Sequence, residues 1–390
     1  MSRRPRASRI LFHVQHLLGI GHLMRAGRIA EALAGRGMDV TLVSGGLPVK
    51  GFSPVGVRRL ELPAMAVGTK NFGELVDADG QVLDDAYRQR RSALLLQMFH
   101  DIEPDCVILE AFPFGRRQLR FELLPLIEAI ESRQNRPVLL TSVRDILQRR
   151  TKPGRDEETA SLITRHFDGV LVHGDPQFAT LDESFSCAAT IADRISYTGL
   201  VCAPLAEPSP LQVDIVVSAG GGAVGDRLVK AALQAAGELP SELSWCIIGG
   251  PNLQQAHYAS MARELPDNVL LERFRADFPG LLRNARVSVS QAGYNTMGDI
   301  LQAGCRAILV PYSVGGETEQ ADRAARLQEL GLAEVLAEDQ LSSATLAALI
   351  RQVLSGDDAA AAARPGLDTR GAAQTAEIVQ SLITTGARQA

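Results

Sequence analysis

The sequence predicts an α/β protein made of two Rossmann-like domains. Its 390 residues exceed the length at which a single hydrophobic core usually divides. Short apolar runs of strand length alternate with helical patterns, which is typical of βαβ units and of a parallel sheet. The alternation stops in a proline-rich segment at 199–212, which has no hydrophobic period, and then begins again. We therefore expect two sheets joined by a linker.

The pattern also predicts where each element lies. In the first half, strands are expected at 9–14, 39–43, 58–62, 105–109, 137–142 and 169–173, and helices at 22–37, 81–100, 117–133 and 157–166. In the second half, strands are expected at 213–217, 244–248, 268–271, 286–290, 306–310 and 332–336. The predicted domains are 1–200, a hinge linker at 201–212, a second domain at 213–370, and a helix at 371–390 that could pack back on the first domain.

Composition excludes several classes of protein. A chain with 46% hydrophobic and 22% charged residues is not disordered, and a net charge of -5 gives no footprint for nucleic acid. The five cysteines contain no CxxC pair, so we expect reduced thiols. The start of the chain lacks the pattern of a signal peptide or a spanning helix, and a cytoplasmic protein is expected. Its basic tail could still touch the inner face of a membrane.

Two glycine turns follow predicted strands. Gly220, Gly221 and Gly222 formally begin a GxGxxG motif, but the next strand ends in Gly249 and Gly250 instead of the acid that a dinucleotide fold needs for its ribose. A turn that brings backbone amides to a diphosphate, or a plain glycine-rich connection, fits as well.

The other glycine turn follows the first predicted strand. Gly21 and His22 lie there, and a histidine with an ordinary pKa of about 6.5 could accept a proton at neutral pH. A helix N-cap or a surface histidine would give the same pattern.

The stretch at 287–324 carries the most specific signal. A strand breaks at Gly293, a helix is predicted to begin at Asn295 and Thr296, and a second strand leads to Glu319 and Gln320. Residues 291–299, Gln-Ala-Gly-Tyr-Asn-Thr-Met-Gly-Asp, together with Glu319-Gln320, resemble the donor-binding signature of GT-B glycosyltransferases. UDP-glycosyltransferases and MurG-type N-acetylglucosaminyltransferases have this signature. The chain departs from it at Gln291, where histidine is common, and at Arg323, where asparagine is frequent.

The resemblance implies a fold and a set of roles. The fold would be GT-B, with two Rossmann-like domains facing each other across a cleft, the first for the acceptor and the second for the nucleotide sugar. Asp299 would hold the ribose, Asn295 and Thr296 the diphosphate, and Glu319 and Gln320 the donor sugar. Phe274 would lie by the base, and His22 matches the catalytic histidine. The glycines of the turns complete the predicted donor set: Gly21, Gly220, Gly221, Gly222 and Gly293.

Polar residues at other strand ends of the first sheet are further candidates. Glu110, Arg144, Asp145 and His173 are expected to face the ligand edge, either to bind the acceptor or as structural and capping residues. Asp77-Ala78-Asp79 looks like a metal-binding DxD motif, but it precedes a predicted helix and is expected to be an acidic loop without metal.

The expected activity is therefore inverting transfer of a hexose or N-acetylhexosamine from a UDP-sugar to an acceptor hydroxyl. No metal and no cofactor other than the donor is expected. The acceptor could be a glycan, a lipid-linked sugar or a small molecule, and the oligomeric state stays open. Alternatives are a nucleotide-sugar hydrolase or epimerase of the same fold, an NAD-dependent dehydrogenase, and a non-catalytic sugar-nucleotide binder.

Overall fold

The chain divides into two compact units. The computed structural model describes residues 6–17, 19–68, 74–150, 152–220, 225–250, 253–313, 316–356 and 366–386. The first unit comprises Met1–Val201 and Arg370–Ala390, and the second comprises Cys202–Thr369. The end of the chain is thus part of the first unit, and most of the predicted linker is part of the second.

The first unit is built on a seven-stranded parallel sheet of strand order β3-β2-β1-β6-β7-β8-β9. Its strands are β1 (Arg9–Val14), β2 (Asp39–Ser44), β3 (Arg58–Glu61), β6 (Cys106–Glu110), β7 (Val138–Arg144), β8 (Gly169–His173) and β9 (Ile195–Tyr197). A small antiparallel pair, β4 (Ala66–Val67) and β5 (Leu75–Val76), lies outside this sheet. The sequence did not predict β4, β5 and β9, which are only two or three residues long.

Burial on both faces explains why the central strands are mostly apolar. In β1, Ile10, Phe12 and Val14 face one core, whereas Leu11 faces the other. A parallel sheet covered by helices on both sides needs such continuous apolar runs. The helices of the first unit are α1 (Gly21–Gly35), α2 (Asp85–Ile102), α3 (Arg120–Glu131), α4 (Arg155–His166) and, from the end of the chain, α11 (Gly371–Thr385).

The strand order creates a switch point beside β1. This strand pairs with β2 on one side and with β6 on the other, so the chain changes direction across the sheet there. In open α/β sheets, ligands bind at the carboxyl ends of the strands that flank such a point. His22, which follows β1, and Glu110, which ends β6, both lie at this edge.

The second unit repeats this plan with a six-stranded parallel sheet of strand order β12-β11-β10-β13-β14-β15. Its strands are β10 (Ile215–Ser218), β11 (Trp245–Ile248), β12 (Val269–Glu272), β13 (Val287–Ser290), β14 (Arg306–Leu309) and β15 (Glu334–Val335). Its helices are α5 (Asp226–Glu238), α6 (Gln255–Met261), α7 (Phe278–Asn284), α8 (Tyr294–Ala303), α9 (Glu319–Glu329) and α10 (Ser343–Ser355). The switch point lies between β10 and β13, where Gly220 and Gln291 follow the two strands.

The last helix of the chain completes a core of the first unit. Ala376 and Val379 of α11 are fully buried in the same cluster as Ile29 and Leu33 of α1. The chain enters α11 through Gly371, whose backbone N–H donates to the Leu200 carbonyl. A Cβ at Gly371 would lie 2.4 Å from the Gly199 carbonyl oxygen, so only glycine fits at this crossing. In the part of the chain that the structure describes, no helix is long and apolar enough to cross a membrane.

Replacing Val379 by Asp is expected to destabilise the first unit strongly. Burying a carboxylate at this site without a partner costs several kcal/mol or forces its protonation. Thermal unfolding followed by calorimetry measures the effect, and Ser381→Asp on the exposed side of the same helix is the control. Equal unfolding temperatures for the two variants would contradict the packing of α11.

Candidate active site

A histidine and a carboxylate meet at the switch point of the first sheet. His22 lies in the first turn of α1, and its Nδ1 is 3.0 Å from Oε1 of Glu110. The His22 side chain is 17% exposed, whereas that of Glu110 is only 1% exposed. The carboxylate is therefore enclosed by protein, and the imidazole reaches solvent.

Three donors keep Glu110 ionised. Arg25 forms a buried ion pair with Oε1, the oxygen that also accepts from His22, and the Ser142 hydroxyl donates to Oε2 at 2.5 Å. Burial alone would raise the pKa of Glu110, but the charge of Arg25 and the hydrogen bonds from His22 and Ser142 outweigh it and hold the pKa below its usual range. Both carboxylate oxygens are thus engaged.

An ionised carboxylate also fixes the tautomer of His22. Glu110 can only accept hydrogen bonds, and its Oε1 at 3.0 Å is a nearer partner for Nδ1 than Nη2 of Arg25 at 3.4 Å. The proton of the neutral imidazole therefore lies on Nδ1. The second ring nitrogen, Nε2, then carries a lone pair. This is the arrangement of a general base whose orientation is set by a carboxylate.

Burial and nearby positive charge keep His22 neutral. Burial is the largest cause of a His22 pKa lowered to about 3, and repulsion by Arg116, Arg25 and Arg144 adds to it. The hydrogen bond to Glu110 opposes these effects without cancelling them. At neutral pH the imidazole is therefore unprotonated.

Arg116 belongs to the same electropositive cluster. Its backbone has φ of 59°, a left-handed conformation, and its Nε donates to the Gln15 carbonyl at 3.1 Å. The pKa of Arg116 is lowered to about 10. Burial is the largest cause and repulsion by Arg144 the next, whereas the charge of Glu110 opposes the shift. Three arginines near one carboxylate leave a local excess of positive charge beside His22, which favours a negatively charged ligand.

The remaining candidates of the first unit have distinct places. His173 is fully buried and is joined to Glu110 through Ser142. Asp145 is also fully buried and packs closely against Gly174. A Cβ added at Gly174 would lie 2.9 Å from the Cβ of Asp145. Asp77 Oδ1 accepts from the backbone N–H groups of Asp79 and Gln81, so this acidic segment forms an Asx-type turn.

In the second unit, α8 begins one residue earlier than the sequence predicted. Gly293 is the N-cap and Tyr294 the first helical residue, so Asn295 and Thr296 lie inside the first turn and do not precede it. The prediction was wrong because it assigned the cap to polar side chains, whereas Gly293 adopts the extended cap conformation with φ of -70° and ψ of 145°. Asp299 follows one helical turn after Asn295 and is half-buried.

Glycines bring the strand ends of the second sheet close together. Gly220 has φ of 71°, and a Cβ there would lie 3.4 Å from Oε1 of Gln291. A Cβ at Gly250 would lie only 2.3 Å from the Gly220 carbonyl oxygen. Gly220 therefore packs between the ends of β11 and β13. Gly221 and Gly222 of the predicted turn lie outside the described residues.

Glu319 is held in a buried ion pair. Arg323, one turn further along α9, donates to Oε1 of Glu319 at 2.8 Å and to the Ala292 carbonyl at 3.1 Å. Its guanidinium also lies 5.8 Å from the centre of the Tyr294 ring. Arg323 thus connects the β13–α8 turn to the start of α9. Gln320 lies beside this pair, and its Oε1 accepts from the backbone N–H of Tyr312.

Phe274 lies just after β12 with 70% of its surface exposed. A large aromatic ring left this open can stack on a planar ligand. Among the described residues, no cluster of three or more His, Cys, Asp and Glu side chains is placed to hold a metal ion.

The sequence pointed to His22, Glu110 and His173 but not to the residues that connect them. Arg25 lies three positions after His22, which places both on one side of α1, and this spacing was the available signal. Ser142 and Arg116 carry no such signal, because their roles depend on which strands are neighbours.

Comparison with known proteins agrees with this architecture. Residues 215–379 match the family model described as the glycosyltransferase family 28 C-terminal domain. A curated relative from Caulobacter vibrioides is 27% identical over 378 residues, which is 92% of this chain and 95% of the relative. Its name is UDP-N-acetylglucosamine--N-acetylmuramyl-(pentapeptide) pyrophosphoryl-undecaprenol N-acetylglucosamine transferase. An uncharacterized glycosyltransferase of Methanosarcina mazei is 22% identical over 82% of this chain and 83% of its own length.

Solved structures show the same fold. The calicheamicin glycosyltransferase CalG4 superposes with a TM-score of 0.65 at 19% identity, over 99% of this chain and 100% of that one. MurG of Acinetobacter baumannii superposes with a TM-score of 0.61 at 15% identity, over 96% of this chain and 99% of that one.

Proposed function

This chain is a glycosyltransferase with the GT-B fold, and we propose that it moves a hexose or N-acetylhexosamine from a UDP-sugar to an acceptor hydroxyl with inversion. The observation that carries the proposal is the 3.0 Å contact between Nδ1 of His22 and Oε1 of the enclosed Glu110, which leaves Nε2 as the base. The named relatives are transferases, which favours transfer over the hydrolase and epimerase alternatives.

The reaction is a single displacement at the sugar. Nε2 of His22 takes the proton of the acceptor hydroxyl while its oxygen attacks the anomeric carbon. The bond from that carbon to the diphosphate breaks, and UDP leaves with the electron pair. The imidazolium formed is stabilised by Glu110, which accepts the Nδ1–H throughout. One displacement of this kind inverts the anomeric configuration.

The donor is assigned to the second unit. The amide groups at the start of α8 suit the diphosphate, because a helix N-terminus carries partial positive charge. Asp299 would accept hydrogen bonds from the ribose hydroxyls, and Phe274 would stack on the base. Glu319, fixed by Arg323, and Gln320 would bind the sugar. The charge on the leaving group is met by the helix, so the proposal includes no metal.

The acceptor is assigned to the first unit. The excess of arginine near His22 supports an acceptor with a negatively charged group beside the reacting hydroxyl. The pyrophosphoryl group in the name of the Caulobacter vibrioides relative has this chemistry. The free thiols support a reducing compartment, and we propose a cytoplasmic enzyme that can meet a membrane-bound acceptor at the inner surface.

The Asp299→Ala variant is expected to lose donor affinity at least about tenfold, the effect of removing hydrogen bonds to a charged group. Titration calorimetry with UDP and with UDP-N-acetylglucosamine measures it. Asp267→Ala, at an exposed position of the same unit, is the control. Undiminished affinity in the Asp299 variant would remove this residue from the donor site.

For His22→Ala we expect turnover to fall by about 10²- to 10⁴-fold, the usual contribution of a general base, while donor affinity persists. Transfer from radiolabelled UDP-sugar to phosphorylated and neutral acceptors measures turnover, and the exposed His100→Ala is the control. Full turnover without His22 would contradict the mechanism.

Because the His22 pKa lies near 3, wild-type kcat/KM should not decline as the pH falls through 6.5.

A further inference from the structure

A second imidazole lies directly behind Glu110. Nε2 of His173 is 2.8 Å from the Ser142 hydroxyl, the same hydroxyl that lies 2.5 Å from Oε2 of Glu110. On its other side, Nδ1 of His173 is 2.9 Å from the Thr198 hydroxyl. A continuous line of hydrogen bonds therefore runs from His22 through Glu110, Ser142 and His173 to Thr198.

The strand order makes this line possible. Glu110 of β6 is the register partner of Ser142 of β7, and Arg144 of β7 is the register partner of His173 of β8. Side chains two residues apart on a strand share a face, so Ser142 and His173 are diagonal neighbours on one side of the sheet. Ser142 and His173 are fully buried and Glu110 nearly so, which encloses these groups in protein.

The direction of each proton follows from Glu110. Since the carboxylate is ionised, the single proton of the Ser142 hydroxyl must point to Oε2. The Ser142 oxygen can then only accept from His173, which places a proton on Nε2 of that ring. His173 is neutral, because its pKa is lowered to about 3. Burial is the largest cause and repulsion by Arg25 adds to it, whereas the charge of Glu110 opposes both. Nδ1 of this tautomer is an acceptor at 2.9 Å from the Thr198 hydroxyl, which also lies 2.9 Å from the Gly199 carbonyl oxygen and can donate its one proton to either.

We propose that His173 is a positioning residue for the transfer reaction, which holds the Ser142 hydroxyl toward Glu110 and so fixes the carboxylate that orients His22. The proposal rests on the proposed function of His22. The Ser142 hydroxyl could otherwise rotate. The N–H at Nε2 of His173 donates to a lone pair of the Ser142 oxygen and so prevents that rotation. With Ser142 fixed, Oε2 of Glu110 is held on one side, and Oε1 stays directed at His22 and Arg25.

The two nitrogens of His173 allow a sharp test. Glutamine can place an amide N–H near the position of Nε2 and keep the bond to Ser142, whereas asparagine reaches only the region of Nδ1. His173→Asn is expected to lower kcat about tenfold, the upper range for the loss of one hydrogen bond between neutral groups, with the donor KM unchanged. His173→Gln is expected to restore most of the lost turnover. A purely structural role would not separate the two variants in this way.

A matched control is His13→Asn. His13 is equally buried in the same sheet, but it faces Glu122 at 3.6 Å, outside the line that ends at His22. This variant is expected to keep kcat even if its unfolding temperature falls. Ser142→Ala provides a second test, because it is expected to lower kcat as His173→Asn does, and combining the two changes should add little further loss.

The result separates the proposal from the function on which it rests. A wild-type protein that transfers no sugar from any UDP-sugar would overturn the proposed function. The role of His173 is then decided by ¹⁵N spectra of the histidine rings, in which the pKa of His22 is expected to rise in His173→Asn and not in His173→Gln. Ser142 no longer supports the charge of Glu110 in the asparagine variant, so the carboxylate would attract the His22 proton more strongly. Equal kcat in His173→Asn and His173→Gln, or identical His22 titrations in these two variants, would overturn the positioning role.

Discussion

The candidate active site depends on one buried carboxylate. Glu110 lies at the carboxyl end of β6, and without its donors it would become protonated in this enclosed position. Arg25 and His22 come from α1, the helix that follows β1, and Ser142 comes from β7; β1 and β7 are the two neighbours of β6 in the sheet. The negative charge fixes the His22 tautomer, and burial together with the surrounding arginines keeps the ring neutral. A site that can accept a proton therefore follows from a single satisfied charge.

The second unit uses a comparable device for a different purpose. Arg323 and Glu319 form a buried pair, and removing one partner of such a pair costs more than the pair contributes, because a charge is left without its counterpart. Arg323 also holds the Ala292 carbonyl, so the pair fixes the turn before α8 relative to the start of α9. Both units thus use a buried arginine and glutamate to hold loops at the carboxyl edge of a parallel sheet. Rigid support of this kind is what a binding site needs.

The sequence predicted the fold well because both sheets are buried on two faces. Central strands such as β1 and β8 appear as continuous apolar runs, and their bounds were predicted within a residue or two. The strand β9 was missed because it has only three residues. The start of α8 was missed because its N-cap is Gly293, which has no side chain. Glu110 and His173 were chosen only as polar residues at strand ends. Their connection through Ser142 depends on β6, β7 and β8 being neighbours, which composition and spacing do not specify.

The most direct test of this account is the position of the protons at Glu110. Neutron diffraction from a deuterium-exchanged crystal at neutral pH shows each of them. We expect deuterium on Nδ1 of His22, none on Nε2 and none on either oxygen of Glu110, with the Ser142 deuteron directed at Oε2. Deuterium on Nε2 of His22, or on the carboxyl group, would show that His22 cannot be the base and would contradict the account.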